Sequence, residues 1–345
     1  MLNNYFKALC NEQRFEKSYR IIENMFITVI SNSESALMEN YFSKSMISCP
    51  INVSLLYTVF IIDTQKVEID EKVKKLCKKS SLRSKRMSTG YYNLNHFGEE
   101  VTFYHDKEEK AFYVAGNQKD CSKVFWSYIM KWILTEYTLK TGIHYKASLI
   151  EKNGDGILII GGKSSGKSSL IHEVIDAKKG FSFLSNTHVI MNHDVAYGIH
   201  SNINFRKEMA EYVCKKNKKL KYMKIKGCTN LDPVDLNYEI KADCVIKYIM
   251  FYQYNQDGDF NADECSKDVM RKLLQTYADA LNVYSLRDDL LTYENGNIEH
   301  VANILEHYNT EMDNIVMNTK NYILTADIKD EKSREQVMDF LGKIG

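Results

Sequence analysis

Proline is scarce, with 2 in 345 residues, and no apolar run approaches the ~18 residues that span a bilayer. The longest such stretches, SLLYTVFII and CVIKYIMFY, have the length of strands. The first residues, MLNNYFKALCNEQRFEK, lack a basic segment followed by an apolar one. No secretory signal and no membrane span are therefore expected, and the expected compartment is the cytoplasm. An excess of charge of one sign is missing too. Lys+Arg number 46 and Asp+Glu 45, so no global attraction draws the chain to nucleic acid or to an anionic membrane. Cys10, Cys49, Cys77, Cys121, Cys214, Cys228, Cys244 and Cys265 form no C-x-x-C pair and no zinc-ribbon spacing. Reduced thiols are expected. The shortage of proline, beside abundant Asn, Lys, Ile and Tyr, reflects coding composition and excludes no function.

What is present suits a globular chain. Hydrophobic residues make up 44% and charged residues 26%, enough for a sizeable core in two ordinary domains or one large one. Up to about residue 120 the chain mixes short β-branched and aromatic segments, MFITVIS, LYTVFII, EVTFYHD and KAFYVAG, separated by polar turns. VTFYHDKEEKAFYV reads as a hairpin. From Lys119 the period changes: Val124, Tyr128, Ile129, Trp132 and Ile133 share a helical face, and Gly142 is placed to stop it. Domains of 1–120 and 121–345 are expected. In the second, ASLIEK and GILII flank NGDG, a hairpin signal. FSFLS and THVIMNH read as strands, CVIKYIMFY as a buried central strand, and two helices are expected near 264–281 and 298–316. NYILTAD and SREQVMDFLGKI read as the last strand and the last helix.

One motif carries chemistry. GGKSSGKS, residues 161–168, follows GILII and precedes SLIHEVI. Gly161-x4-Gly166-Lys167-Ser168 has the Walker A spacing. Its glycines let backbone N–H groups approach phosphate oxygens, and the following helix aims its positive end at the anion. Gly161, Gly162, Lys163, Ser164, Ser165, Gly166, Lys167, Ser168 and Ser169 would line the phosphates. Lys167 would neutralise their charge, and Ser168 would ligate Mg²⁺. The alternative is a glycine-serine turn that binds nothing. The apolar strand before and the amphipathic helix after are the context that nucleotide binding requires.

The hairpin leading into the loop sets this sequence apart from most Walker proteins. With Ala147-Ser148, Gly154, Gly156, the loop itself and FLSNTHVIM at 183–191, it resembles the HPr kinase/phosphorylase family and its relatives. NFRKE (204–208), LDPVDL (231–236) and the closing YILTAD…DFL extend the resemblance over roughly residues 120–345. The resemblance implies an α/β fold: a P-loop, phosphoenolpyruvate-carboxykinase-like nucleotide-binding core, here preceded by a smaller strand-rich domain. It implies transfer of a phosphoryl group from ATP or pyrophosphate, with Mg²⁺, to a serine hydroxyl of a peptide or small protein; no adenine-specifying motif is present, so GTP is the alternative nucleotide. Some relatives act on precursor peptides of natural products. It also implies that Arg206 contacts the transferring phosphate or the acceptor; a surface ion pair is the alternative.

The sequence departs from the family where the base should be. The family's Asp-Asp pair is Asn186-Thr187 here, and its histidine falls on Lys146. Asn186 could hold a magnesium water, but neither Asn nor Thr is a base near neutral pH. Asp194, His188 and His193 follow closely and are the candidate substitutes, or else a loop acid and solvated imidazoles. Lys146 either grips phosphate or snorkels at a strand end. The basic runs 72–86 and 214–227 could hold an acidic acceptor or be solvated loops; the first lacks the interleaved aromatics that nucleic-acid stacking needs. DGDFNADE lacks the glycine of a calcium loop, since Ala262 stands there. Three readings stay open: a serine kinase, a degenerate nucleotide-binding scaffold or sensor, and a small-molecule phosphotransferase. A homo-oligomer is the expected assembly.

Overall fold

Strand β11 (Asp155–Ile160) is apolar on both faces because both are covered. Ile157 and Ile159 pack into one core with Leu170, Ile171 and Val174, while Leu158 and Ile160 face the opposite core with Met270, Leu274, Tyr308 and Met312. The result is a sheet between two helical layers. The computed structural model describes residues 2–23, 25–39, 41–51, 53–70, 77–79, 84–87, 92–94, 101–106, 108–138, 141–216, 220, 223–225, 228–256, 258–278 and 298–344.

The described residues of Met1–Glu39 and Met46–Ile133 form one compact unit. It contains α1 (Leu2–Asn11) and a mixed sheet in the order β1-β2-β3-β8-β7-β6-β5-β4. These strands are β1 (Phe15–Ile22), β2 (Met25–Ser31), β3 (Leu55–Asp63), β4 (Cys77–Lys79), β5 (Ser84–Met87), β6 (Tyr92–Leu94), β7 (Val101–Asp106) and β8 (Ala111–Gly116). β7 and β8 are the expected hairpin. Phe6 and Cys10 of α1 bury against Phe60, Ile62 and Tyr113. α2 (Gln118–Val124) runs through a π-helical turn into α3 (Met130–Thr138). The change of period near residue 120 marks the start of α2, whereas the units divide at Ile133/Leu134. The basic run 72–86 lies largely outside the described residues.

The other unit takes the described residues of Asn40–Ser45, Leu134–Ser285 and Asn295–Gly345. Its strands are β9 (Ile143–Lys146), β10 (Ser148–Lys152), β11, β12 (Phe181–Ser185), β13 (His188–Asn192), β14 (Val195–Ile199), β18 (Asp243–Tyr254), β19 (Asn261–Glu264) and β20 (Lys320–Ala326). β15 (Ile203–Arg206), β16 (Met223–Ile225) and β17 (Cys228–Leu231) form a small separate sheet. The helices are α4 (Lys167–Asp176), α5 (Lys207–Lys216), α6 (Lys267–Tyr277), α7 (Ile298–Met317) and α8 (Glu331–Ile344). α4 and α8 cover one face of the large sheet, α6 and α7 the other. The Asn153-Gly154 turn joins β10 to β11, with both residues at positive φ, 55° and 92°. β18 is central: it pairs parallel with β11 and β20 and antiparallel with β14.

β9 and β10 are two halves of one bent strand, and β12 and β13 are two halves of its antiparallel partner. Both bend where Ala147 N donates to Thr187 O (3.1 Å) and Ser148 Oγ donates to Asn186 O (2.7 Å). The register slips by one residue at Leu184, a bulge that sharpens the bend. Sequence periodicity gave no sign of the segment 41–45. There Phe42 and Ser43 are buried, Ser43 Oγ donates to Asp232 (2.7 Å), and Lys44 pairs with Asp235 (2.6 Å). Among the described residues no helix is long and apolar enough to cross a membrane.

Candidate functional site

The loop 161–166 joins the end of β11 to the start of α4. Gly161 sits against β18: a Cβ there would lie 2.4 Å from the Tyr252 carbonyl oxygen and 2.9 Å from Ser165 Oγ. Gly166 turns the chain at φ 89°, with the Tyr252 ring 3.3 Å from where its Cβ would be. Leu170 N donates back to Gly166 O (2.9 Å), which closes the first turn of α4. The earlier N–H groups of that turn have no carbonyl inside the helix and point into the loop.

Lys167 folds over the mouth of the loop. Its Nζ donates to Gly161 O (2.6 Å), Gly162 O (3.0 Å) and Ser165 Oγ (3.3 Å). Burial, and then the like charge of Lys146, push its ammonium down to about 8. Lys146 is exposed at the end of β9. Arg206, at the end of β15, donates to Ser164 Oγ from the other side. Ser168 Oγ donates to Asn186 Oδ1 at 2.9 Å. Asn186 is held just after β12, buried, with its carbonyl fixed by Ser148. The structure thus brings Lys146, Lys163, Lys167, Ser168, Asn186 and Arg206 to one loop. Among the described residues none of its four cations pairs with a carboxylate.

Three residues behind the loop escape a reading of the sequence. Tyr252 underlies both glycines. His172, one helical turn after Ser168, is buried, and its Nδ1 shares a hydrogen bond with Tyr238 OH. Burial holds the His172 imidazole down at about 4, so it is neutral at pH 7. Its ring meets Phe205 edge-on at 5.5 Å and so joins α4 to the strand that carries Arg206. In the sequence these aromatics have the pattern of ordinary core.

Asp194 does not belong to this site. It lies in the β13–β14 turn, at the opposite end of β13 from Asn186-Thr187. Strand geometry puts roughly 15–20 Å between them. Its carbonyl accepts from Ile246 N (2.8 Å), near the start of β18, whereas the loop meets the end of that strand. The residue lines a separate cavity of about 560 Å³ with Met191, Lys247 and Asn318. His193 shares that turn, exposed, 3.2 Å from Glu311. His188 is nearer the loop but buried, its Nδ1 3.0 Å from His144 Nε2. Asp194→Asn is expected to change nucleotide affinity and phosphoryl transfer by less than about twofold, where loss of a true base costs at least ~10²-fold; parallel calorimetry and transfer assays check it. Half of the basic run 214–227 lies outside the described residues; Lys216 pairs with Asp176 (3.1 Å).

A hard divalent cation such as Mg²⁺ is ordinarily held by one or two carboxylates together with substrate phosphates. Ser168 and Asn186 offer a hydroxyl and an amide oxygen, both neutral and bonded to each other. Among the described residues no group of three or more His, Cys, Asp or Glu side chains could hold a metal. The donor set at the loop does not fit a resident Mg²⁺.

No family model matches the chain, and no curated protein matches it. Among solved structures, the HPr(Ser) kinase/phosphatase from Coxiella burnetii matches 58% of this chain and 92% of its own, at 10% identity and a TM-score of 0.26. At that score the likeness bears no weight. The mixed α/β fold, with a glycine loop between a central strand and a helix, is the chain's own structural finding.

Proposed function

We propose that the chain binds a nucleoside triphosphate at 161–169 and transfers its terminal phosphoryl group to a hydroxyl, the serine of a peptide or small protein being the favoured acceptor. The observation that carries this is the loop, with Lys167 folded over its mouth and Arg206 fastened to Ser164 across it. Phosphoryl transfer is mostly positioning and charge stabilisation, with little covalent work for the protein. Lys167 and the first turn of α4 would hold the phosphates. Arg206 and Lys146 would meet the transferring group. The acceptor hydroxyl would lose its proton to solvent or to the phosphate itself, since neither Asn186 nor Thr187 can take it near neutral pH. The serine acceptor is supported by the sequence resemblance alone.

A second reading is favoured by the Ser168–Asn186 bond: a protein that holds nucleotide and turns it over slowly or not at all. One experiment separates the two. ATP and GTP are titrated calorimetrically, with and without Mg²⁺, and the complex is then incubated with serine-containing peptides. Binding with a phosphopeptide of the right added mass is the expected result. Tight binding without product supports the scaffold. Absence of nucleotide binding overturns both readings.

A further inference from the structure

The site is rich in positive charge, and among the described residues its cations have no carboxylate partner of the kind that would bring a metal to it. Lys163 and Lys167 lie on the loop, Arg206 is fastened to Ser164, and Lys146 is close enough for its charge to act on Lys167. Four cations without carboxylate partners repel one another until an anion arrives, and each can then make a charge-assisted bond to a phosphate oxygen. Where a divalent cation would sit between nucleotide and protein, Ser168 donates its hydroxyl hydrogen to the neutral amide oxygen of Asn186 rather than to a carboxylate. That bond orients the Ser168 lone pairs, and it leaves the Asn186 Nδ2–H groups as donors. One of them lies 3.4 Å from Thr187 Oγ1, a long and weak contact. A donor at this position favours a phosphate oxygen over a metal ion.

We infer that this site binds its nucleotide as the metal-free polyphosphate: Lys146, Lys163, Lys167 and Arg206 neutralise the charge that Mg²⁺ neutralises elsewhere, and Asn186 is the residue that makes the difference. This rests on the nucleotide-binding reading above and names the form of the ligand. A metal-chelated triphosphate carries less charge to match the four cations. It also brings a cation to Ser168 and Asn186, which offer it no carboxylate.

The test is ATP affinity by calorimetry in EDTA and in millimolar Mg²⁺, on the full chain and on Asn186→Asp. Wild type is expected to bind ATP in EDTA at least as tightly as in Mg²⁺, within about threefold, because protein cations supply the neutralising charge. Asn186→Asp places a carboxylate beside the phosphates and is expected to weaken binding in EDTA by about tenfold or more, with Mg²⁺ restoring it. Wild-type binding that falls tenfold or more in EDTA overturns the proposal and leaves the nucleotide reading standing. An Asn186→Asp variant that binds like wild type in both media also overturns it. Absence of ATP binding in either medium overturns the nucleotide reading itself and the proposal with it. Far-ultraviolet circular dichroism on the variant keeps a folding defect from being mistaken for any of these.

Discussion

Lys167→Met is expected to weaken ATP binding by about a hundredfold or more while leaving the protein at least as stable at neutral pH. Both halves follow from the same burial. The ammonium sits over the loop with only carbonyl and hydroxyl oxygens as partners, and its nearest charged influence is another lysine. It is kept for the ligand at a cost to the fold. The sign of the pH dependence is fixed by its shift from 10.5 to about 8. Between those values the unfolded chain holds the proton and the folded chain has lost it, so wild-type stability rises with pH from about 8 toward 10.5. Lys167→Met removes that rise. Phosphate needs the ammonium form, so wild-type ATP affinity should fall as pH rises above about 8, with net proton uptake on binding there. Calorimetry in buffers of different ionisation enthalpy reads the uptake, and urea titrations at pH 7 and pH 9.5 read the stability. Unchanged ATP affinity in Lys167→Met would mean that the loop binds no phosphate.

The parts of the site that were legible in the sequence are those fixed by local chain geometry. Strand, glycine loop and helix lie within one continuous segment, so Lys167 and Ser168 could be placed from spacing alone. Asn186 and Arg206 came from resemblance, and the fold brings both to the loop. Asp194 shows where proximity in sequence misleads. It stands eight residues after Asn186, but a five-residue strand carries it to the far end of the sheet. Tyr252, His172 and Tyr238 were invisible for the opposite reason: burial of an aromatic in a strand or helix looks the same whether it supports a site or only a core. The separate strands and helices follow their hydrophobic periods. The doubling of 143–152 and 181–192 into two bent, paired strands does not, because no period encodes a bend. Nor does any period reveal that Ser43 would bury itself on Asp232, 189 positions away.

Gly198→Ala is expected to destabilise the protein by about 3 kcal/mol, the upper end of the range for overpacking, because the clash is with immobile backbone. A Cβ at Gly198 would lie 2.2 Å from the Leu184 carbonyl oxygen and 2.4 Å from its carbon. Neither atom can move alone. Leu184 is the bulged residue of β12 and is fully buried, and Gly198 is itself held by its N–H to Ala242 O at 3.0 Å. The methyl must therefore push β14 and β12 apart. Ser185 Oγ, which donates to His188 O (2.7 Å) and Ile199 O (3.2 Å), ties the two strands at that point and receives the N–H of Thr187 (3.2 Å). Asn186 lies between those anchors, so the strain should reach its contact with Ser168. A lowered urea midpoint with an unchanged slope is expected, together with weakened ATP binding in whatever fraction remains folded. Gly342→Ala is the matched control. It lies in α8 with open space around its Cβ, and alanine there should stabilise by about 0.5–1 kcal/mol. If Gly198→Ala instead matched that control, β14 would not cross Leu184 as closely as the bend requires, and the placement of Asn186 beside the loop would lose its structural cause.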